Sequence, residues 1–136
     1  MAVWGIGSYY KNLSPKDRTK DYINDGCAYI GWNESEASAL YRMLDSVKSG
    51  DIIYIKSFST KKKNLIIKAV GIVTDTKKGE SELLGTSIGV KWKMDFKPEK
   101  IDVTPEIYRN NVFNNTLYEE YNSVIIKKVI DAIFNE

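Results

Sequence analysis

Val47-Lys48-Ser49-Gly50-Asp51-Ile52-Ile53-Tyr54-Ile55 is the stretch on which the fold turns. Its first half closes a helix and its second half opens a strand. Ahead of it, Ala37, Leu40, Tyr41, Leu44 and Val47 recur at helical spacing. Residues 34–48 therefore read as an amphipathic helix capped by Asn33 or Ser35. Ser49-Gly50 ends that helix, with Gly50 at a left-handed C′ position. Asp51 reads as a turn residue rather than a metal ligand. From Asp51 to Ser59 the chain is rich in β-formers and apolar enough to be largely buried.

The flanking segments extend this pattern. Leu65 to Thr74 is a second long strand, joined to the first by a Thr60–Asn64 turn to make a hairpin. Gly71 inside it predicts a bulge or bend. Lys77-Lys78-Gly79 reads as a turn. Ile88, Val90, Trp92, Met94 and Phe96 then alternate with Gly89, Lys91, Lys93 and Asp95, a strand with one buried and one wet face. On the N-terminal side, Val3 to Gly7 opens the sheet. Ser14 and Pro15 start a short helical stretch running to Ile23, Asn24-Asp25-Gly26 turns the chain, and Cys27 to Trp32 is a short strand. Residues 106–122 read as irregular. Ile126, Val129, Ile130, Ile133 and Phe134 mark a closing amphipathic helix. The sum is an α+β fold, a small mixed, barrel-like sheet with flanking helices, in one domain spanning residues 1–136. Strands close in sequence are expected to pair antiparallel.

Composition bounds what such a domain can do. The 136 residues suit a single core. Hydrophobic residues at 43% and charged residues at 28% exclude disorder and collagen. No apolar run approaches the ~18 residues of a spanning helix, so no membrane partner is expected. The absence of histidine removes histidine-based triads, bases and metal ligands. A single cysteine, Cys27, removes internal disulfides and multi-cysteine zinc sites. With no signal peptide in Met1-Ala2-Val3-Trp4-Gly5, the expected setting is cytoplasmic. The net charge is only +2, from 20 basic and 18 acidic residues. Lys56, Lys61, Lys62, Lys63 and Lys68 nevertheless cluster, and acids collect in 34–45 and towards the C-terminus. Solvated lysines and a phosphate-facing surface are both open readings of that block.

No catalytic constellation emerges. Cys27 sits in an apolar run, Glu34 and Glu36 flank a helix start, and Gly5-Ile6-Gly7 lacks the third glycine and following helix of a phosphate loop. The chain reads as a non-enzyme with no cofactor and no metal. The aromatic residues say more. Trp4, Tyr9, Tyr10, Trp32, Tyr54, Phe58 and Trp92 fall at strand ends or beside strands, among Gly5, Ser8, Gly31, Lys56 and Ser57. Aromatic faces with nearby hydroxyls, backbone groups and a lysine suit a planar heterocycle carrying phosphate. Core packing is the competing reading, strongest for Trp92 on its alternating strand. In the 108–118 loop, four asparagines that include Asn111 and Asn115 either pair with base edges or satisfy loop backbone.

Trp4 in a first strand, Gly31-Trp32 before a helix, the Ser49-Gly50-Asp51 turn into Ile52-Ile53-Tyr54-Ile55, and Ala69-Val70-Gly71-Ile72-Val73 in the next strand resemble the EVE domains of the PUA-like superfamily. The resemblance covers residues 3–96. It implies a small barrel with one concave pocket for nucleic acid, often for a modified base flipped out of its strand. Carried over by position, that pocket falls among Trp4, Gly5, Ser8, Trp32, Lys56, Ser57, Phe58 and Trp92; the residue reading adds Tyr9, Asn111 and Asn115. Ser8-Tyr9-Tyr10-Lys11 replaces the acidic-proline stretch of the family, and the asparagine-rich loop has no counterpart there. The expected partner is DNA or RNA with a modified base, with a free nucleotide or nucleotide-derived signal as the alternative. An effector protein is expected to act beside it.

Overall fold

The computed structural model describes residues 1–10, 16–59, 64–102 and 116–135. In chain order the elements are β1 (Val3–Gly7), β2 (Tyr9–Tyr10), β3 (Lys16–Asp17), α1 (Thr19–Asp25), β4 (Cys27–Ile30), α2 (Ser38–Leu44), β5 (Ile52–Ser59), β6 (Asn64–Ser81), β7 (Gly85–Trp92), β8 (Glu99–Asp102), β9 (Leu117–Glu119) and α3 (Ser123–Phe134). They form an α+β domain whose sheet curls into a half-barrel. The main sheet runs β4-β7-β6-β5-β1-β9, with β8 also paired to β6; β2 and β3 form a separate ribbon. Among the described residues no helix is long and apolar enough to cross a membrane.

The unbroken apolar run of β5 has a simple cause. The strand is central and both its faces are buried. Ile53 and Ile55 pack with Trp4, Ile6, Tyr22, Leu44 and Val90 in a core on the α1–α2 side. Ile52 and Tyr54 pack with Leu65, Ile67, Ile125 and Val129 in a second core beneath α3. Complete burial of a side chain of this size stabilises by about 1.5–3 kcal/mol, so these few residues dominate the fold.

One pairing makes the sheet mixed, as expected. β1 runs parallel to β5, with Val3 opposite Ile52 and Gly7 opposite Lys56. A parallel neighbour needs a long crossover, and the segment from β2 to α2 supplies it. Asp51 fixes the register. Its Oδ1 accepts from the Ala2 N–H at 3.1 Å, and its Oδ2 accepts from the Lys48 N–H at 3.0 Å and from the Trp4 indole N–H at 3.0 Å. Burial alone would raise the carboxyl's pKa, but these three donors hold it below the ordinary aspartate range.

Other boundaries move for identifiable reasons. Lys77-Lys78-Gly79 is not a turn. β6 runs on to Ser81, and register shifts between Val73 and Gly79 absorb the extra residues against β7. The chain reverses instead at 82–84, where Gly85 takes φ +97°. The alternating strand stops at Trp92, leaving Met94 exposed. Helix α2 is shorter than 34–48: Asn33 and Glu36 form a preceding turn, joined by side chains at 2.8 Å, and no side chain caps Ala37. Gly50 does have positive φ, at +92°, but in the turn where its N–H donates to the Val73 carbonyl. Lys16 and Asp17 are extended, and α1 begins at Thr19; the Ser14-Pro15 start and most of the Thr60–Asn64 turn lie outside the described residues. Gly71 marks close approach rather than a bulge, since a Cβ there would stand 2.8 Å from the Lys91 carbonyl oxygen. The closing helix is capped by Asn122, whose Oδ1 accepts from the Val124 and Ile125 N–H groups. Its buried stripe centres on Ile125 and Val129, and Phe134 is exposed.

Asp51→Ala orphans the buried Trp4 indole N–H and two partly buried backbone donors. It is expected to lower unfolding free energy by roughly 2–4 kcal/mol, read as a shifted urea midpoint at unchanged slope. A loss below about 0.5 kcal/mol would contradict this role for Asp51.

Candidate functional site

The three tryptophans separate sharply. Trp4 and Trp92 belong to the α1–α2 core, 3% and 5% exposed. Their N–H groups are committed inside it, Trp4 to Asp51 and Trp92 to the Cys27 carbonyl at 2.9 Å. Trp4 occupies an inward position of β1, so the strand's alternation places it in the core rather than beside Trp32. Trp32, two residues beyond the end of β4, is 54% exposed. Its indole N–H donates to the Thr116 hydroxyl at 3.2 Å. The backbone carbonyl of Thr116 in turn accepts from the Gly7 N–H at 2.9 Å. Trp32 is therefore tied to the C-terminal end of β1.

On the other face of that end, Gly5, Tyr54 and Tyr118 lie side by side in register across three strands. A Cβ on Gly5 would meet the Tyr118 ring at 2.6 Å, so only glycine lets the ring lie across β1. Tyr118 and Tyr54 then share a hydroxyl bond of 2.7 Å, and Tyr54 donates to Glu120 Oε1 at 2.5 Å. Burial raises the pKa of both phenols. The Lys56 ammonium sits 5.7 Å from the Tyr118 ring centre, within cation–π range. Burial, and then the nearby Lys68, lowers the Lys56 pKa to about 8.

Ser8 sits between the two strand systems. Its hydroxyl lies 2.9 Å from both Asp17 Oδ1 and the Thr19 hydroxyl, and Lys68 reaches Asp17 Oδ2 at 2.6 Å. Lys68 is the extra residue of the β5–β6 bulge. Burial pushes the Asp17 carboxyl up, but Lys68, Thr19 and Ser8 together bring it down to about 2. Tyr9 is exposed on β2. Ser57 is half-buried opposite Ile66, and Phe58 packs against the α3-side core. Asn111 and Asn115 lie outside the described residues.

A groove of about 240 Å³ opens beside Trp32, lined also by Gly31, Asn33, Glu34, Tyr41, Lys78, Glu80, Gly85 and Thr86. Sheet register builds its floor: Ile30, Thr86 and Glu80 stand in line across β4, β7 and β6. Gly85 is obligatory there, because a Cβ would stand 2.1 Å from the Ile30 carbonyl oxygen. The Tyr41 hydroxyl donates to the Trp32 carbonyl at 2.7 Å and meets Thr86 Oγ1 at 2.8 Å; Thr86 Oγ1 lies 3.0 Å from Glu80 Oε1. Lys78 pairs with Asp45. The groove thus joins an aromatic face to a polar edge. Among the described residues no three carboxylate or thiol groups converge as a metal site requires.

Of the residues singled out from sequence, the structure gathers Trp32 near the end of β1, where Ser8 and Lys56 also lie, and sets Gly5 beside Tyr118. Tyr41, Glu80 and Thr86 escaped sequence reading. Tyr41 matches the apolar stripe of its helix, and Glu80 and Thr86 meet only through the hairpin. The one available signal was the phase of β7, which puts Thr86 on the buried face with Ile88.

Stability should fall in acid, and the sign follows from Asp17 and Asp51. Both folded pKa values are depressed, so their contribution is complete above about pH 4. It is lost as pH falls, for Asp17 towards about 2. Asp17→Asn should flatten the acid limb of the urea midpoint plotted against pH; an unchanged limb would remove Asp17 from this account.

No protein-family model matches the chain, and no curated protein is significantly similar to it.

Proposed function

We propose that the chain is a nucleic-acid-binding module without chemistry of its own, a PUA-like barrel that receives a modified, flipped-out base of DNA or RNA against Trp32. The observation that carries this reading is an exposed indole, anchored by its N–H, on the rim of a polar groove. Anchoring orients the ring and leaves its face to stack. Stacking of a base on such a ring contributes about 1–3 kcal/mol, enough to offset much of the few kcal/mol that unstacking costs. Lys56, at the same end of the sheet on the Tyr118 face, would supply positive charge for a phosphate of the strand leaving the groove. An effector protein would act on what is bound.

A second reading, a free nucleotide in the same groove, is favoured by Glu34 and Glu80 in the lining, which repel a polyanion laid along it.

Binding of short single strands with and without modified bases, at low and physiological salt, tests the proposal. Trp32→Ala should weaken binding by roughly 5- to 150-fold with little loss of stability. Lys56→Ala should weaken it and flatten its pH dependence, which in the unaltered protein should show affinity falling as pH rises through about 8. Stabilisation by mononucleotides alone would favour the second reading, and silence from every oligonucleotide at low salt would end the first.

A further inference from the structure

We infer that the groove beside Trp32 selects a base presenting an exocyclic amino group, because its polar floor is one hydrogen short. This inference rests on the base-binding reading of that groove. Three oxygen contacts run in series: the Trp32 carbonyl to the Tyr41 hydroxyl, Tyr41 to the Thr86 hydroxyl, and Thr86 to the Glu80 carboxylate. The carbonyl at one end and the carboxylate at the other can only accept. The two hydroxyls between them carry one hydrogen each. Tyr41 uses its hydrogen on the Trp32 carbonyl. The single Thr86 hydrogen must then serve either Tyr41 or Glu80, and whichever contact it leaves brings lone pairs face to face.

Tyr41 and Thr86 are buried, at 7% and 5% exposure, so water has little access to relieve them. Glu80 is exposed and lines the groove, so the missing hydrogen can arrive there. A ligand N–H donated to the Glu80 carboxylate takes the place of the Thr86 hydrogen there; the exposed carboxylate turns from Thr86 to the ligand, the Thr86 hydrogen turns to Tyr41, and the Trp32 carbonyl, the Tyr41 oxygen and Glu80 then each have a donor. An amino group at the ring edge, as on cytosine or adenine, supplies that hydrogen while the ring lies on Trp32. Thymine, uracil and hypoxanthine place a carbonyl oxygen at the equivalent corner. Thymine and uracil hold their ring N–H between two carbonyl oxygens, which would meet the carboxylate with like charge. Glu34 in the same lining adds to the bias towards donors.

The test compares single strands of about ten nucleotides that differ at one central base. One pair carries 5-methylcytosine or thymine, which share the methyl group and differ at the amino–carbonyl edge. The other carries adenine or hypoxanthine. Affinity is read by anisotropy and by tryptophan quenching, to which exposed Trp32 is the most accessible of the three tryptophans. The amino-bearing strand of each pair should bind about tenfold or more tightly, as expected for a matched edge. Glu80→Gln, which gives the floor a donor of its own, should reduce that ratio to about two or less. Equal binding within both pairs, or preference for the carbonyl-bearing strands, overturns the amino-group inference and leaves a base site in place. A preference that persists undiminished in Glu80→Gln overturns the assignment to this floor. Failure of all four strands to bind overturns the base-binding reading itself. The comparison within the unaltered protein decides the inference even where the variant does not fold.

Discussion

The carboxylate of Asp51 is the constraint on which the rest of the structure depends. It collects N–H groups from Ala2 and Trp4 at the start of the first strand and from Lys48 in its own turn, joining two segments far apart in the chain. By holding the start of β1 against the turn before β5, it sets which residue of β1 faces which residue of β5. A slip of one position would exchange the faces of every side chain. Trp4 and Ile6 would then leave the α1–α2 core, and Gly5 would no longer lie under Tyr118. A charged group with so little exposure is tolerable because its donors are fixed in advance by the folded backbone.

From that register follow two cores that differ in character. The α1–α2 side is a broad aliphatic and aromatic layer in which Tyr22 turns its hydroxyl to the Gly7 and Tyr29 carbonyls and the Tyr10 hydroxyl. The α3 side holds a buried chain of hydroxyls ending on Glu120, with every hydrogen used once: Tyr118 to Tyr54, Tyr54 to the carboxylate. The floor of the groove has the opposite arithmetic, with more acceptors than hydrogens. A closed network gives rigidity. An open one, at a surface that a ligand can reach, gives a reason to bind.

Glycines decide where the chain can come this close to itself. Gly5 admits the Tyr118 ring, Gly85 admits the Ile30 carbonyl, and Gly31 admits the ring of Tyr10, whose hydroxyl donates to the Leu84 carbonyl. The last two hold the ends of β4 and β7 together just where Trp32 leaves the sheet.

Local pattern was enough for much of this. The apolar run 52–55, the alternation 88–92, the amphipathic stripe of the last helix, the turn at Gly26 and the left-handed Gly50 are each set by nearest neighbours, so sequence carries them. Sequence also excluded histidine chemistry and multi-cysteine metal sites outright. Tertiary structure alone decided that β1 lies parallel to β5, because that pairing joins segments about fifty residues apart and leaves no local trace. It separated three similar tryptophans into two core residues and one exposed plane, since burial depends on strand phase and on what lies across the sheet. It also built the groove, whose polar floor comes from α2, β6 and β7 and exists only once the long hairpin has found its register. Hydrophobic periodicity reports which face of an element is buried; only the assembled sheet determines which buried hydroxyls are left to share a hydrogen.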